Sequence, residues 1–411
     1  MTNEVVNVPE LRFTGFEDEW KETNLGNIAN IVGGGTPKTE IPEYWNGEIN
    51  WYSPVEIGDR NYVYESKNKI TQLGLQKSSA KILPIGTVLF TARAGIGNTA
   101  ILKKEGATNQ GFQSIIPKEG VLDTYFIFSR TNELKRYGEI HGAGSTFVEI
   151  SGKEMAKMPI SIPVIKEQQK IGDFFSKLDR QIELEEQKLA KLEEQKKGYM
   201  QQIFSQELRF KEDNENSYPE WESAPLFDIF TATKGKSLSK DKISNDGKYE
   251  CILYGEIYTT YAEKIESIVS RTNYYEGILS QKNDLIFPNS TTTNSWDLAT
   301  FSSLQKNNVL IGGDISILRT KRSDISSLFY AYYLTNYLKL RKDIAKYAQG
   351  ITIVHLSFNN FYKIKVQIPS LEEQNSITDF IDSLNQQQKL IANKIKLLKE
   401  RKKGFLQKMF V

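Results

Sequence analysis

Residues 162–204 read IPVIKEQQKIGDFFSKLDRQIELEEQKLAKLEEQKKGYMQQIF, and residues 368–410 read IPSLEEQNSITDFIDSLNQQQKLIANKIKLLKERKKGFLQKMF. They align without a gap at an offset of 206, with 18 of 43 positions identical. The shared positions include Ile162-Pro163 with Ile368-Pro369, Glu167-Gln168 with Glu373-Gln374, and Lys196-Lys197-Gly198 with Lys402-Lys403-Gly404. An internal repeat decides the architecture before any other feature. Fainter echoes lie upstream: Glu10-Leu11-Arg12-Phe13 returns as Glu207-Leu208-Arg209-Phe210, and Trp20, Leu25 and Ile28 return as Trp221, Leu226 and Ile229. GSTFVEIS at 144–151 matches GITIVHLS at 350–357. The chain therefore reads as module, helix, module, helix, with boundaries at 1–163, 164–205, 206–369 and 370–411.

The repeated segments are helical by pattern. Pro163 and Pro369 stand where a proline is tolerated, at the helix entry. Apolar residues then recur at spacings of four and three: Ile171, Phe175, Leu178, Ile182, Leu189 and Leu192 in one copy, and Ile377, Ile381, Leu384, Ile391, Ile395 and Leu398 in the other. That is a coiled-coil seam, interrupted by Glu185, Lys196, Gln388 and Lys402. At 1.5 Å per residue, a helix from Glu167 to Phe204 is about 57 Å long. A parallel pairing would set Lys196 against Lys402. An antiparallel one sets Lys196 against Leu384, Lys402 against Leu178, Phe175 against Phe405 and Ile171 against Met409, with the ammonium groups reaching water. The antiparallel arrangement is expected.

Both modules read as mixed α/β, so the chain is α+β overall. Strands are expected at 88–93, 100–103 and 113–117, and again at 285–288 and 315–320. One helical stretch follows in each module, over 124–140 and 325–348. Turn clusters such as Gly33-Gly34-Gly35-Thr36-Pro37 and Asn245-Asp246-Gly247 punctuate the strands.

Composition narrows the function. The 411 residues carry a net charge of +2, a hydrophobic share of 39% and a charged share of 25%, as in globular proteins of two to three domains. No run is apolar enough for a membrane span. The start MTNEVVNVPELRF has no signal-peptide pattern. With one cysteine, Cys251, the chain has no intramolecular disulfide, and a cytoplasmic location is expected. His141 and His355 lack cysteine partners, which argues against a zinc site and against His-centred catalysis.

Three catalytic patterns come close and fail. Gly235-Lys236-Ser237 imitates the end of a phosphate-binding loop, but Phe230 stands where that loop needs glycine. Gly95-Ile96-Gly97-Asn98-Thr99-Ala100 has dinucleotide-fingerprint spacing, yet a strand follows it, so a hairpin turn is expected. Asp59, Glu65 and Lys67 imitate a metal-dependent nuclease, and a solvated hairpin is the favoured reading. What is left is binding chemistry: cations, amides, hydroxyls and aromatics at loop positions, the groups that reach base edges and phosphates. In the first module these are Thr36, Lys38, Tyr52, Arg93, Asn98 and Gln110. In the second they are Lys234, Lys236, Ser237, Tyr254, Asn289, Thr291, Thr292 and Asn294.

The arrangement resembles the specificity subunit of a type I restriction–modification system, from end to end. The resemblance rests on Gly34-Gly35-Thr36-Pro37 with Tyr44-Trp45 and residues 49–54, on the run from Thr91 to Gly97, on Gly144-Ser145-Thr146, and above all on the paired proline–EQ helices. The second module departs, with Lys234-Gly235-Lys236-Ser237 for the GGTP stretch and Pro288-Asn289-Ser290-Thr291 for the TARAGIG stretch, as two readers of different bases should. The resemblance implies a non-catalytic DNA-recognition subunit. Each module would be a target recognition domain for one half of a bipartite asymmetric sequence. The helices would form an antiparallel coiled coil with pseudo-two-fold symmetry, set the spacer and dock two methyltransferase subunits. Two restriction subunits would complete the enzyme. It implies no cofactor on this chain, with S-adenosylmethionine, ATP and Mg on the partners, and double-stranded DNA as ligand. The competing reading is an adaptor that presents two protein-binding modules on a coiled-coil stalk.

Overall fold

A computed structural model of the chain describes residues 7–93, 95–144, 148–212, 216–236 and 238–411. It divides into two compact units, one running to Glu186 and including Asn393–Val411, the other Gln187–Ala392. The division expected from sequence set the helices apart as segments of their own. The packing instead cuts both helices and gives each unit a module with half of each helix. The reason lies in the cores. Ile171, Phe175 and Met409 are buried in the same cluster as Trp20, Phe126 and Ile160 of the first module. Met200, Ile203, Phe204, Ile377 and Ile381 are buried with Trp221, Phe287 and Phe329 of the second.

The five-stranded sheets of the two units repeat strand for strand. The first has a five-stranded sheet in the order Ala29–Gly33, Gln113–Pro117, Val88–Phe90, Thr99–Leu102, Tyr62–Val63. The second has Phe230–Lys234, Ile315–Thr320, Asp284–Pro288, Ser302–Leu304, Lys264–Ile265 in the same order. In both, only the last strand runs parallel to its neighbour. A smaller sheet is built around Trp45–Tyr52 in one unit and Tyr249–Ile252 in the other, and each of these strands takes one antiparallel and one parallel partner. A two-stranded ribbon leads into each long helix: Lys21–Asn24 with Pro159–Ile162, and Glu222–Pro225 with Lys365–Ile368. The expected helical stretches are each two helices, Thr124–Ser129 with Thr131–His141, and Ser327–Asn336 with Leu338–Ala345. The break comes at Arg130 in one, whose guanidinium reaches the Ser161 carbonyl at 2.6 Å, and at the extended Tyr337 in the other.

The long helices span Ile165–Phe204 and Leu371–Lys408. Their entry explains the repeated Glu-Gln. Gln168 donates from Nε2 to the carbonyls of Pro163 (2.9 Å) and Val121 (3.0 Å), and its Oε1 accepts from Asp123 N (3.0 Å). Gln374 does the same with Pro369, Asp324 and Ser326. Asp123 and Ser326 are in turn the N-caps of the module helices. Glu167, fully buried, takes Arg12 Nε and Nη2 at 2.7 and 2.8 Å. Glu373, equally buried, takes Arg209 at 3.1 and 2.9 Å and Trp221 Nε1 at 2.8 Å. The faint Glu-Leu-Arg-Phe echo is thus the other half of the Glu-Gln repeat.

In each unit the two helices run antiparallel. Asp179 meets Lys402 and Glu185 meets Lys394, both at 2.5 Å, in the first unit. Lys196 meets Asn385 at 2.5 Å, and Tyr199 meets Phe380, in the second. Of the twelve seam residues, Leu178, Leu189 and Leu192 are half-buried and the rest buried. The seam lysines differ from expectation. Each reaches past the leucine set opposite it to the next residue, so its ammonium ends on a carboxylate or an amide rather than in water. Asp179 also accepts from Tyr125 Oη (2.7 Å), and Asn385 donates to Tyr332 Oη (2.9 Å), so at both lysine breaks in the seam a module tyrosine is tied down. Phe405 packs on Phe174 rather than Phe175, because Phe175 faces Phe410, which inserts beside Trp20 and Phe126. The single cysteine, Cys251, lies in a small core with Leu238 and Leu310, where burial pushes its thiol up to about 11.

Removing the guanidinium from Arg12 leaves the Glu167 carboxylate buried without its partner. Arg12→Ala should cost about 3 kcal/mol or more, read as a lower thermal or urea midpoint, while Arg60→Ala on an exposed loop should be close to neutral.

Candidate nucleic-acid interface

In the first module the glycine turn is a hairpin. Val88–Phe90 pairs antiparallel with Thr99–Leu102. Between them the Thr91 hydroxyl donates to the Gly95 carbonyl (2.7 Å) and accepts from Asn98 N (2.9 Å). Gly95 and Gly97 have φ of +100° and +93°. At Gly97 a β-carbon would also stand 2.3 Å from the Lys135 side chain. The glycines serve this turn. A second close approach explains Gly34 and Gly35: Gly35 N donates to Thr108 O, and a β-carbon on Gly34 would collide with the 108–109 backbone.

Three candidates gather where these loops meet. The Thr36 hydroxyl bonds to Gln110 Oε1. Ala92 N donates to Gly111 O (2.7 Å), which brings Arg93 beside Gln110 and Gly111. Arg93 is half-exposed and loosely paired with Glu149 at 3.8 Å. Lys38 is exposed on the same loop as Thr36, and Asn98 is exposed at the far side of the hairpin near Gly58. Tyr52 is a correction. It has no exposed surface and packs with Leu89 and Phe112, and desolvation, aided by Glu56 and Glu65, pushes its phenol up to about 12. It is a core residue.

In the second module Lys234 and Lys236 are exposed, Lys234 with its Nζ 3.5 Å from Asp314 Oδ1. Gly235 between them has no room for a side chain, since a β-carbon would stand 2.1 Å from Gly312 O. Ser237 lies outside the described residues, as do Ala94, Ser145 and Thr146. Tyr254 is half-buried against the Ile252 and Ile311 cluster. Asn289 is 9% exposed and its Oδ1 accepts from Ser316 Oγ at 2.7 Å. Thr291 is a second correction: fully buried, it bonds to Tyr258 and Thr293 inside the module. Thr292 is exposed. Asn294 is exposed too, but its Oδ1 caps the helix Ser295–Leu298 by accepting from Trp296 N (2.9 Å) and Asp297 N (3.2 Å).

Asp59, Glu65 and Lys67 are all exposed, and Glu65 pairs with Lys104 at 2.9 Å, which holds its carboxyl below the usual range. Among the described residues no three His, Cys, Asp or Glu side chains converge as a metal site, and no helix is long and apolar enough to cross a membrane. Sequence reasoning missed Asp314 and His355. Tertiary contacts set both near the candidates, Asp314 O accepting from Asn289 N and His355 pairing with Ser290.

The family profile described as the type I restriction modification DNA specificity domain matches residues 17–194 and again 218–400. The chain belongs to the type I restriction–modification DNA specificity family. A specificity subunit of Methanocaldococcus jannaschii, MjaIX, is 33% identical over 56% of this chain and 58% of its own length. The EcoR124I/EcoR124II specificity subunit of Escherichia coli is 33% identical over 41% of this chain and 43% of its own length. The chain thus matches about half the length of these two relatives. The crystal structure of an S subunit from M. genitalium has the same fold, with a TM-score of 0.59 at 15% identity over 98% of this chain and 99% of that one. The family profile falls twice on this specificity chain, once on each module with its helix, as the internal repeat does.

If Arg93 reads a base edge, Arg93→Ala should cost about 1–3 kcal/mol of discrimination and relax one position of the target. Lys38→Ala, acting on phosphate, should weaken all sequences alike. Competition binding with single-base variants of the target separates the two outcomes.

Proposed function

We propose that this chain is the DNA-reading subunit of a type I restriction–modification enzyme, each unit reading one half of a bipartite asymmetric target. The observation that carries this reading is the duplication: two units whose five-stranded sheets share one strand order and whose loops carry different side chains. Arg93, Gln110 and Thr36 stand on the loops of one, and Lys234, Asn289 and Asp314 on the strand ends and loops of the other. Like scaffolds with unlike loops are what two readers of unlike sequences require.

The long helices form an antiparallel coiled coil with pseudo-two-fold symmetry. They set the distance between the half-sites and dock two methyltransferase subunits, which carry S-adenosylmethionine and methylate adenines. Two restriction subunits bring ATP- and Mg-dependent cleavage. The chain itself is non-catalytic, needs no cofactor and works in the cytoplasm on double-stranded DNA. A net charge of +2 fits weak DNA binding by the chain alone, because phosphate neutralisation dominates affinity and the partners would supply further cations.

The helix register gives a direct test. By the offset of 206, Lys402 corresponds to Lys196 and Lys394 to Lys188. A fragment of residues 1–205 can therefore pair with a second copy through Asp179 with Lys196 and Glu185 with Lys188. One contact turns repulsive, since Glu186, which holds Lys399 at 2.6 Å, would face Glu193. The fragment should form a homodimer weaker than the intact pair, and with methyltransferase partners it should modify a split palindrome of the first half-site. Sedimentation and methylation mapping check both points. A monomer at micromolar concentration, or modification at the asymmetric target, contradicts the reading.

A further inference from the structure

The second module has an open groove where the first is filled. Three pairs of backbone contacts align the two places. Lys234 pairs with Ser316 at the end of one strand ladder, and Gly33 pairs with Gln113 at the end of the other. Asn289 N donates to Asp314 O, and Ala92 N to Gly111 O, both at 2.7 Å. Leu356 N donates to Asn289 O (2.9 Å), and Ile150 N to Ala92 O (3.1 Å). The matching positions are thus Lys234 with Gly33, Ser316 with Gln113, Asn289 with Ala92, and Asp314 with Gly111.

In the first module the Gln113 side chain occupies the space. Its Oε1 lies 3.6 Å from where a Gly33 β-carbon would stand and 2.8 Å from that of Gly152. In the second, Ser316 is too short to fill it and turns its hydroxyl to Asn289. A cavity of about 390 Å³ opens there, lined by Thr233, Lys234, Asn289, Asp314, His355 and Asn360 among others. Asn289 is nine-tenths buried, yet its Nδ2 donates to no group among the described residues while lining this cavity. Lining the groove, the Asn289 amide can donate to a molecule that enters it.

On the rim, Lys234 Nζ and Asp314 Oδ1 lie 3.5 Å apart with side chains 63% and 49% exposed. A donor and an acceptor side by side match the major-groove edge of one base pair. Lysine donates to guanine O6 and N7, and aspartate accepts from the cytosine N4 amino group. The Asn289 amide faces inward behind them as a further donor. A thymine methyl would find charged and amide walls instead.

Resting on the DNA-reading function above, we propose that this groove reads one G·C pair of the second half-site through Lys234, Asp314 and Asn289, and that the first module reads no base at the matching place. The test maps methylated adenines across the genome in cells holding the full chain with its methyltransferase subunits. Lys234→Ala and Asp314→Asn, both on the exposed rim, should reduce the preference at one G·C position of the second half-site by about tenfold to hundredfold. Every position of the first half-site should keep its preference. Ser316→Gln, which restores the plug of the first module, should relax the same position. Continued methylation of the first half-site shows that a variant is folded. A motif unchanged in all three variants, or one relaxed in the first half-site, overturns the groove's role. A wild-type chain that directs no sequence-specific methylation overturns the DNA-reading function instead.

Discussion

The structure depends on a buried ion pair and a glutamine at the root of each long helix. Glu167 with Arg12, and Glu373 with Arg209, put a carboxylate with no exposed surface against a guanidinium from the start of the module. The adjacent glutamine ties the helix to the cap of the module's own helix, through Asp123 N in one unit and Ser326 N in the other. A buried charge is stable only when its partner is in place, so each module can sit on its helix in one way. In the proposed function a reader on a loose joint could not hold a fixed register on DNA, and each of the two readers has the clamp.

The seam follows the same logic. An all-leucine seam would bind, but it would leave register and direction weakly specified. Here Lys402 must find Asp179, and Lys196 must find Asn385, each with a module tyrosine attached to the same polar residue. A shift by one heptad in either direction would set Lys196 opposite Ile377 or Ile391 and break its bond to Asn385. The polar breaks therefore fix the register of the two helices within each unit.

What the sequence revealed and what it hid follow from the range of the interactions. The helices were legible because their spacing is local and occurs twice. The antiparallel direction could be argued from Lys196 and Lys402 alone. The sheets were harder, since many strands are two to five residues long, such as Tyr62–Val63 and Lys264–Ile265, and are held by partners far along the chain. Tyr52 read as a contact because it follows a polar loop, but it ends a strand whose last three residues are all buried. Thr291 belongs to a two-residue strand that pairs with Val354–His355, a contact no local pattern announces. The Lys234–Asp314 pair spans 80 positions and exists only because two strands meet at that rung.

The most direct measurement of the central claim is the base-resolution pattern of DNA methylation in cells with and without this chain, its partner subunits held constant. The account predicts modified adenines in one asymmetric motif of two short specific parts, separated by a gap of constant length and any sequence, that disappears when the chain is removed. A continuous motif, a gap of varying length, or a pattern unchanged by removing the chain would contradict it.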